Sequence, residues 1–154
     1  MATADELRLD NISISLEGRE LITVDAAIAP GEVLTVMGPS GAGKSTLIAF
    51  MAGLLDPVFA ARGRVLSGDI DLTLLPAEAR RAGILFQDPL LFPHLSVLDN
   101  IAIAVPQSIA SRRERREIAQ AALDRVGLAD FGDRDPDTLS GGQKARVALQ
   151  RVMV

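Results

Sequence analysis

One glycine-rich segment constrains this chain more than any other feature. It reads Gly38, Pro39, Ser40, Gly41, Ala42, Gly43, Lys44, Ser45, Thr46. Gly38 and Gly43 enclose four residues and are followed at once by Lys44 and Ser45, which is the spacing of a phosphate-binding loop. Such a loop needs glycine because successive backbone N–H groups must point at one anion through conformations that a Cβ would block. In this chemistry Lys44 brings a positive charge to the β- and γ-phosphates, and the Ser45 hydroxyl binds Mg²⁺. The segment therefore predicts a site for a nucleoside triphosphate and its metal.

The elements around this loop predict an α/β fold. The apolar run 33–37 before the loop is typical of a strand buried on both faces of a parallel sheet, and residues 84–86 form a second such run. After the loop, residues 45–55 contain no proline and predict a helix that ends near Asp56. Apolar residues alternate with polar ones over 7–16, and a second run spans 21–28 before Pro30 and Gly31, so the chain is expected to open with an antiparallel β layer.

The second half of the chain predicts mainly helices. Ser111 and Glu114 have the spacing of a capping box, and the stretch 90–126 is expected to be largely helical up to Gly127. Residues 130–137 are acidic, contain glycine and proline, and suggest a linker. Between the two halves, residues 58–83 are ambiguous: 65–75 alternate only partly, and a short helix is expected from 76 to 81.

Ser140 is a natural N-cap for a helix that continues from 140 to 154. The two residues that follow it are Gly141 and Gly142, and each glycine costs about 1 kcal/mol relative to alanine inside a helix. That cost is reasonable where backbone N–H groups must meet an anion, so this helix start predicts a second phosphate contact.

Composition excludes several classes of function. The formal net charge of −4 gives no positive field for general nucleic-acid binding. The absence of cysteine excludes disulfides, thiolate zinc sites and cysteine nucleophiles, and the single histidine, His94, cannot form a histidine metal cluster. No export signal and no apolar run of membrane-spanning length is found in the sequence. Glutamates interleave with Arg112, Arg113, Arg115 and Arg116, which favours a solvated helix face over a nucleic-acid patch.

Taken in order, these motifs resemble the nucleotide-binding domain of ATP-binding cassette (ABC) proteins. The resemblance covers nearly all of the chain and rests on the phosphate loop, on Gln87 at a strand end, and on one pentapeptide. The pentapeptide is Leu139, Ser140, Gly141, Gly142, Gln143. Residues 86–97, followed by Asn100 and Ile101, are similar to the corresponding segment of import-type transporter ATPases, which favours uptake.

The resemblance implies partners and roles for these residues. ATP and Mg²⁺ would be the cofactors, with Lys44 and Gln87 as catalytic residues and with Ser45 and Gln87 at the metal. The pentapeptide would complete the nucleotide site of a second ATP-binding domain in a head-to-tail dimer. Membrane permease subunits would be the other partners, without nucleic acid and without direct membrane insertion. The expected location is cytoplasmic, at the inner face of the cell membrane through the permease.

Two departures from the family pattern stand out. Leu16 occupies the place where family members stack the adenine on an aromatic residue, so base contact would be apolar packing without ring stacking. In the family, the strand with a metal-binding aspartate and the general-base glutamate, and then a switch histidine, would follow Val154. The resemblance therefore implies that the C-terminal part of the core, with the general base, is missing. The chain is expected to bind ATP without turning it over.

The sequence thus predicts a P-loop NTPase core, a parallel sheet with flanking helices, plus an N-terminal antiparallel layer and a helical subdomain. Residues 1–154 would form one incomplete nucleotide-binding domain, with the core part over 1–87, the helical subdomain over 88–139 and the signature helix over 140–154. Two alternatives stay open: a soluble ABC-type ATPase of DNA repair or translation, and a noncatalytic nucleotide-binding remnant.

Overall fold

The computed structural model describes residues 5–109 and 111–154. The chain divides into two compact units, the first ending at Ala82 and the second running from Gly83 to Val154.

The first unit is built on a four-stranded antiparallel sheet. Its strands are β1 (Leu7–Leu16), β2 (Arg19–Ile28), β3 (Phe59–Ser67) and β4 (Ile70–Asp71), in the order β2-β1-β3-β4. Between β1 and β2, Glu17 and Gly18 both have positive φ, 50° and 81°, which is the two-residue hairpin turn that matches strand twist. The predicted antiparallel layer is confirmed.

Helix α1 (Lys44–Ala52) packs on this sheet. Leu47 is 2% exposed and joins a buried cluster from β1 and β3, which consists of Leu9, Ile12, Ile14, Leu47 and Val65. Helix α1 ends at Gly53, whose φ of 78° is the left-handed conformation that closes many helices. The predicted helix is therefore present, but it ends about three residues earlier than expected.

The second unit contains three helices within the described residues: α2 (Val97–Ala102), α3 (Arg112–Arg125) and α4 (Gly141–Met153). Their apolar faces share one core cluster. The expectation that 90–126 is largely helical was too generous, because residues 90–96 are a loop and the chain between α2 and α3 contains Pro106. Proline has no N–H to donate inside a helix, which explains the interruption.

Short 3₁₀ turns replace two other predicted elements. The helix expected over 76–81 is a single turn, Ala77–Ala79, preceded by another at Leu72–Leu74. The expected linker 130–137 folds into turns at Ala129–Phe131 and Pro136–Thr138. The strand β3 falls in the region that sequence patterns left ambiguous.

The two predicted parallel strands, 33–37 and 84–86, are not strands in the described chain. Val33 and Met37, expected to be buried, are 84% and 87% exposed. An apolar run becomes a central strand only when neighbouring strands accept and donate backbone hydrogen bonds on both sides. None of the four described strands pairs with either run, so the prediction of a parallel sheet fails at these residues.

None of the helices in the described ranges combines the length and the apolar character needed to cross a lipid bilayer.

Candidate nucleotide-binding site

The glycine-rich loop leads directly into α1. Two of its glycines, Gly41 and Gly43, have φ near 80°, and Gly43 is the N-cap of the helix. No hydrogen bond engages the N–H of Gly41 or Gly43 within the described chain. The first N–H groups of a helix also lack partners within the helix, so those of Lys44 and Ser45 point outward with the positive end of the helix dipole. The loop therefore offers a set of unpaired donors to one anion.

Gly43 cannot be replaced without strain. A Cβ at this position would lie 3.0 Å from Cγ2 of Ile22 and 3.2 Å from Cβ of Leu21, both on β2. The left-handed φ of 79° adds a second penalty for any L-residue with a side chain. The sheet and the loop conformation together require glycine at the start of α1.

The Lys44 ammonium group lies over the loop. Its Nζ donates to the carbonyl oxygens of Gly38 at 2.8 Å and Pro39 at 2.7 Å. These neutral acceptors hold the charge beside the unpaired loop amides, and no carboxylate lies within 4 Å of it in the described part of the chain. A phosphate group at the loop would thus find a cation that needs no acidic partner to be displaced.

The exposed Ser45 side chain sits one residue after Lys44, with no recorded hydrogen bond to its hydroxyl among the described residues. A free hydroxyl on the first turn of the helix suits Mg²⁺, which takes oxygen ligands and is held mainly by phosphates and one or two protein groups. Within residues 5–109 and 111–154, no group of three or more acidic or histidine side chains could hold a metal by itself. The Ser45 hydroxyl at the start of α1 is an oxygen ligand of the kind that suits the Mg²⁺ of a triphosphate.

The second predicted phosphate contact is the N-terminus of α4. The Ser140 hydroxyl accepts the Gln143 N–H at 3.3 Å, and the Gln143 side-chain oxygen accepts the Ser140 N–H at 2.8 Å. This reciprocal capping box occupies two backbone donors and leaves the two between them, Gly141 and Gly142, without a partner in the described chain. A Cβ on either glycine would meet nothing within 4 Å, so these glycines leave open space in front of their amides. Leu139, by contrast, is buried at 6% exposure and anchors the motif in the core of the second unit.

The positions of Gln87 and Leu16 neither support nor contradict the roles predicted for them. Gln87 lies in the second unit, is exposed, and makes no recorded hydrogen bond among the described residues. Its predicted role at the metal stays a prediction. Leu16 is the half-buried last residue of β1, paired across the sheet with Phe59 and Arg19.

Two further residues had no predicted role. Arg80 donates four hydrogen bonds to backbone carbonyls in the first unit. Asn100 is fully buried in the second unit and donates three hydrogen bonds to backbone carbonyls there. No local pattern points to Arg80, because its partners on α1 lie about 30 positions away in the sequence. Nothing in the pattern around Asn100 separates it from a solvent-exposed amide.

Comparison with known proteins identifies the family. A family model described as ABC transporter matches residues 21–154. This chain belongs to the ABC transporter family. It is 45% identical over 128 residues to the Fe(3+) ions import ATP-binding protein FbpC of Rhizobium etli, and the aligned residues cover 83% of this chain and 35% of FbpC. It is 42% identical over 149 residues to the uncharacterized ABC transporter ATP-binding protein YnjD of Escherichia coli K12, covering 96% of this chain and 68% of YnjD.

A solved structure of the same family confirms the fold class. The ATP-binding cassette MJ0796, in a dimeric post-hydrolysis state bound to ADP and Pi, matches with a TM-score of 0.75 at 33% identity. The match covers 96% of this chain and 68% of that one. This ABC transporter chain therefore has the fold of an ATP-binding cassette, while it spans only about a third of the length of relatives such as FbpC.

Proposed function

We propose that this chain binds Mg-ATP at residues 38–46 and acts as part of the ATP-binding subunit of an import-type ABC transporter. The observation that carries the proposal is the set of unpaired amides at the start of α1 with the Lys44 ammonium beside them. The similarity to FbpC, an Fe(3+) ions import ATP-binding protein, favours uptake over the soluble repair or translation ATPase.

The residues of the loop would divide the work of binding. The amides of Gly41 and Gly43 and the first turn of α1 bind the phosphates, and Lys44 exchanges its two carbonyl acceptors for the β- and γ-phosphates. The Ser45 hydroxyl holds Mg²⁺, which neutralises phosphate charge when bound. Leu16 would contact the base by apolar packing alone.

The partner site is proposed on the same physical grounds. The capping box satisfies the amides of Ser140 and Gln143 but leaves out those of Gly141 and Gly142. The two glycine amides would bind an anion presented by a second ATP-binding domain. The Ser140 hydroxyl uses an oxygen lone pair in the cap and keeps its proton for a phosphate oxygen. We also propose that the two ATP-binding domains pair head to tail and that Gln87 contacts the metal. Permease subunits would be the other partners, and the chain would lie at the inner face of the membrane through them. ATP hydrolysis belongs to the whole subunit.

Calorimetric measurement of Mg-ATP binding by variants of the chain's two lysines, Lys44 and Lys144, tests the proposal. Wild type and Lys144→Ala, which removes a lysine paired to Asp137 at 3.1 Å, should bind Mg-ATP alike. Lys44→Ala should weaken binding at least about tenfold, because a charge-assisted bond to phosphate is worth about 1.5–3 kcal/mol. Absence of Mg-ATP binding by the folded wild type, or equal binding by Lys44→Ala, would contradict the proposal.

A further inference from the structure

Arg80 makes an unusual set of contacts in the first unit. It follows the turn Ala77–Ala79, and its half-buried guanidinium donates only to backbone carbonyls. The acceptors are those of Phe50 at 2.8 Å, Met51 at 3.1 Å, Thr73 at 3.1 Å and Leu75 at 2.9 Å. No carboxylate lies within 4 Å of Arg80 in the described ranges. The charge is therefore balanced by carbonyl dipoles alone.

Two of these carbonyls belong to the last turn of α1. The final carbonyls of a helix have no partners within the helix and form the negative end of its dipole. The Phe50 carbonyl also accepts the Gly53 N–H, whereas the Met51 carbonyl has Arg80 as its recorded partner. Since α1 has no basic residue in its own last turn, Arg80 supplies the cation from 28 residues further along the chain.

Gly53 makes room for this guanidinium. A Cβ there would lie 2.7 Å from Nε and 2.9 Å from Cζ of Arg80. The left-handed φ of 78° at Gly53 turns the chain away at the point where the guanidinium meets the helix end. Helix end and arginine thus fit each other closely.

The opposite end of α1 is the phosphate loop. The helix is nine residues long, and only Leu47 and Ala52 of these are buried. Apolar packing, which also includes the half-buried Phe50 and Met51, holds one face of α1 against the sheet but supplies no directional contact along the helix axis. A hydrogen-bonded anchor at the C-terminal end resists movement of the whole helix, including the amides that begin at Lys44.

We infer that Arg80 is a positioning residue for triphosphate binding: by fixing the C-terminal end of α1 it holds the loop amides where the phosphates bind. This inference rests on the proposed function. Arginine suits the task because its planar fork reaches several carbonyls at once, whereas lysine presents one compact ammonium group.

The experiment measures binding of two probes, Mg-ATP and Mg-tripolyphosphate, to wild type and to Arg80→Met and Arg80→Lys. Arg80→Met keeps much of the apolar stem and removes the donors and the charge. We expect about tenfold weaker binding for Arg80→Met and a smaller loss for Arg80→Lys, since lysine keeps the interaction with the helix dipole. The factor should be the same for both probes, because the effect acts on the phosphates and not on the base.

Ile12→Val is the control for a merely structural effect. Ile12 is fully buried in the sheet on which α1 packs, and removing one methyl group lowers stability while leaving the hydrogen bonds of Arg80 in place. This variant should bind both probes as wild type does. Arg81→Met, which changes the neighbouring exposed arginine, should also bind normally.

The outcomes separate the two proposals. If wild type binds Mg-ATP and folded Arg80→Met binds it equally well, the inference about Arg80 is overturned and the proposed function stands. If Arg80→Met does not fold, equal binding by Arg80→Lys and wild type overturns the inference in the same way. If wild type binds neither probe, the proposed function fails, and the role of Arg80 fails with it.

Discussion

Asn100 is the residue whose replacement gives the sharpest test of the second unit. It lies on α2 with 0% exposure, and its side chain bonds only to the backbone of the loop 92–96. The amide oxygen accepts the Phe92 N–H at 2.7 Å. The amide nitrogen donates to the carbonyls of Phe92, Leu95 and Ser96 at 3.0, 3.2 and 3.0 Å. One buried side chain thus shapes a loop that begins five residues after Gln87.

The effect of Asn100→Leu follows from which groups lose their last partner. The Phe92 carbonyl still accepts the Leu95 N–H, and the Ser96 carbonyl still accepts the backbone N–H of residue 100. The Phe92 N–H and the Leu95 carbonyl are left without a recorded partner in the described chain. At about 1–3 kcal/mol each, and after an offset of about 1.5–3 kcal/mol from burial of the leucine side chain, we expect a net loss of about 1–3 kcal/mol in the free energy of unfolding.

The assay is urea unfolding followed by far-UV circular dichroism, because the chain has no tryptophan or tyrosine for fluorescence. Amide hydrogen exchange gives a local readout, in which the Phe92 N–H should exchange faster in the variant. Gln107→Leu removes an exposed amide from the same unit and should change neither quantity. An Asn100→Leu variant as stable as wild type, with unchanged exchange at Phe92, would refute this reasoning.

Three further predictions concern single sites. Gly43→Ala should weaken Mg-ATP binding in calorimetry and lower the free energy of unfolding by at least about 1–2 kcal/mol, because alanine disfavours the left-handed φ and its Cβ would press on Ile22. Unchanged binding and stability would contradict this steric effect. The hydrogen bond from Arg64 holds the pKa of Asp10 below its ordinary value. The pair therefore stabilises the folded chain at pH values above the ordinary pKa, and this contribution is lost as the pH falls through the lowered pKa. Thermal unfolding of Asp10→Asn should show a shallower decline below about pH 4 than wild type, and parallel curves would be evidence against the pair. Gln150→Leu should raise the free energy of unfolding by about 1–2 kcal/mol in the same urea assay, because the Gln150 Oε1 is buried without a recorded partner; a less stable variant would show that this oxygen is satisfied.

The sequence predicted best what depends on local chemistry. The glycine spacing placed the loop before α1, and Ser111 and Ser140 cap α3 and α4 as their positions suggested. Alternation along β1 predicted a half-buried strand because one face of an antiparallel sheet packs on the core.

What the sequence could not predict depends on distant partners. The run 33–37 is as apolar as a buried strand, but its hydrophobicity does not tell whether a neighbouring strand is available, and none of the described strands pairs with it. The strand β3 lies in the region 58–83 that sequence patterns left ambiguous, and Gly63 stands in the middle of it. That glycine is needed where the backbone of Asn11 approaches, since a Cβ would lie 2.5 Å from the Asn11 carbonyl oxygen. The contacts of Arg80 likewise join residues about 30 positions apart, which no local pattern reveals.

Amide NMR during titration of the wild-type chain with Mg-ATP tests the central claim most directly, because it observes the proposed donors themselves. We expect saturable shifts of the Gly41, Gly43 and Lys44 N–H resonances, and none of comparable size when adenosine at the same Mg²⁺ concentration replaces Mg-ATP. Unmoved loop amides at saturating Mg-ATP, or shifts confined to residues outside 38–46, would contradict it.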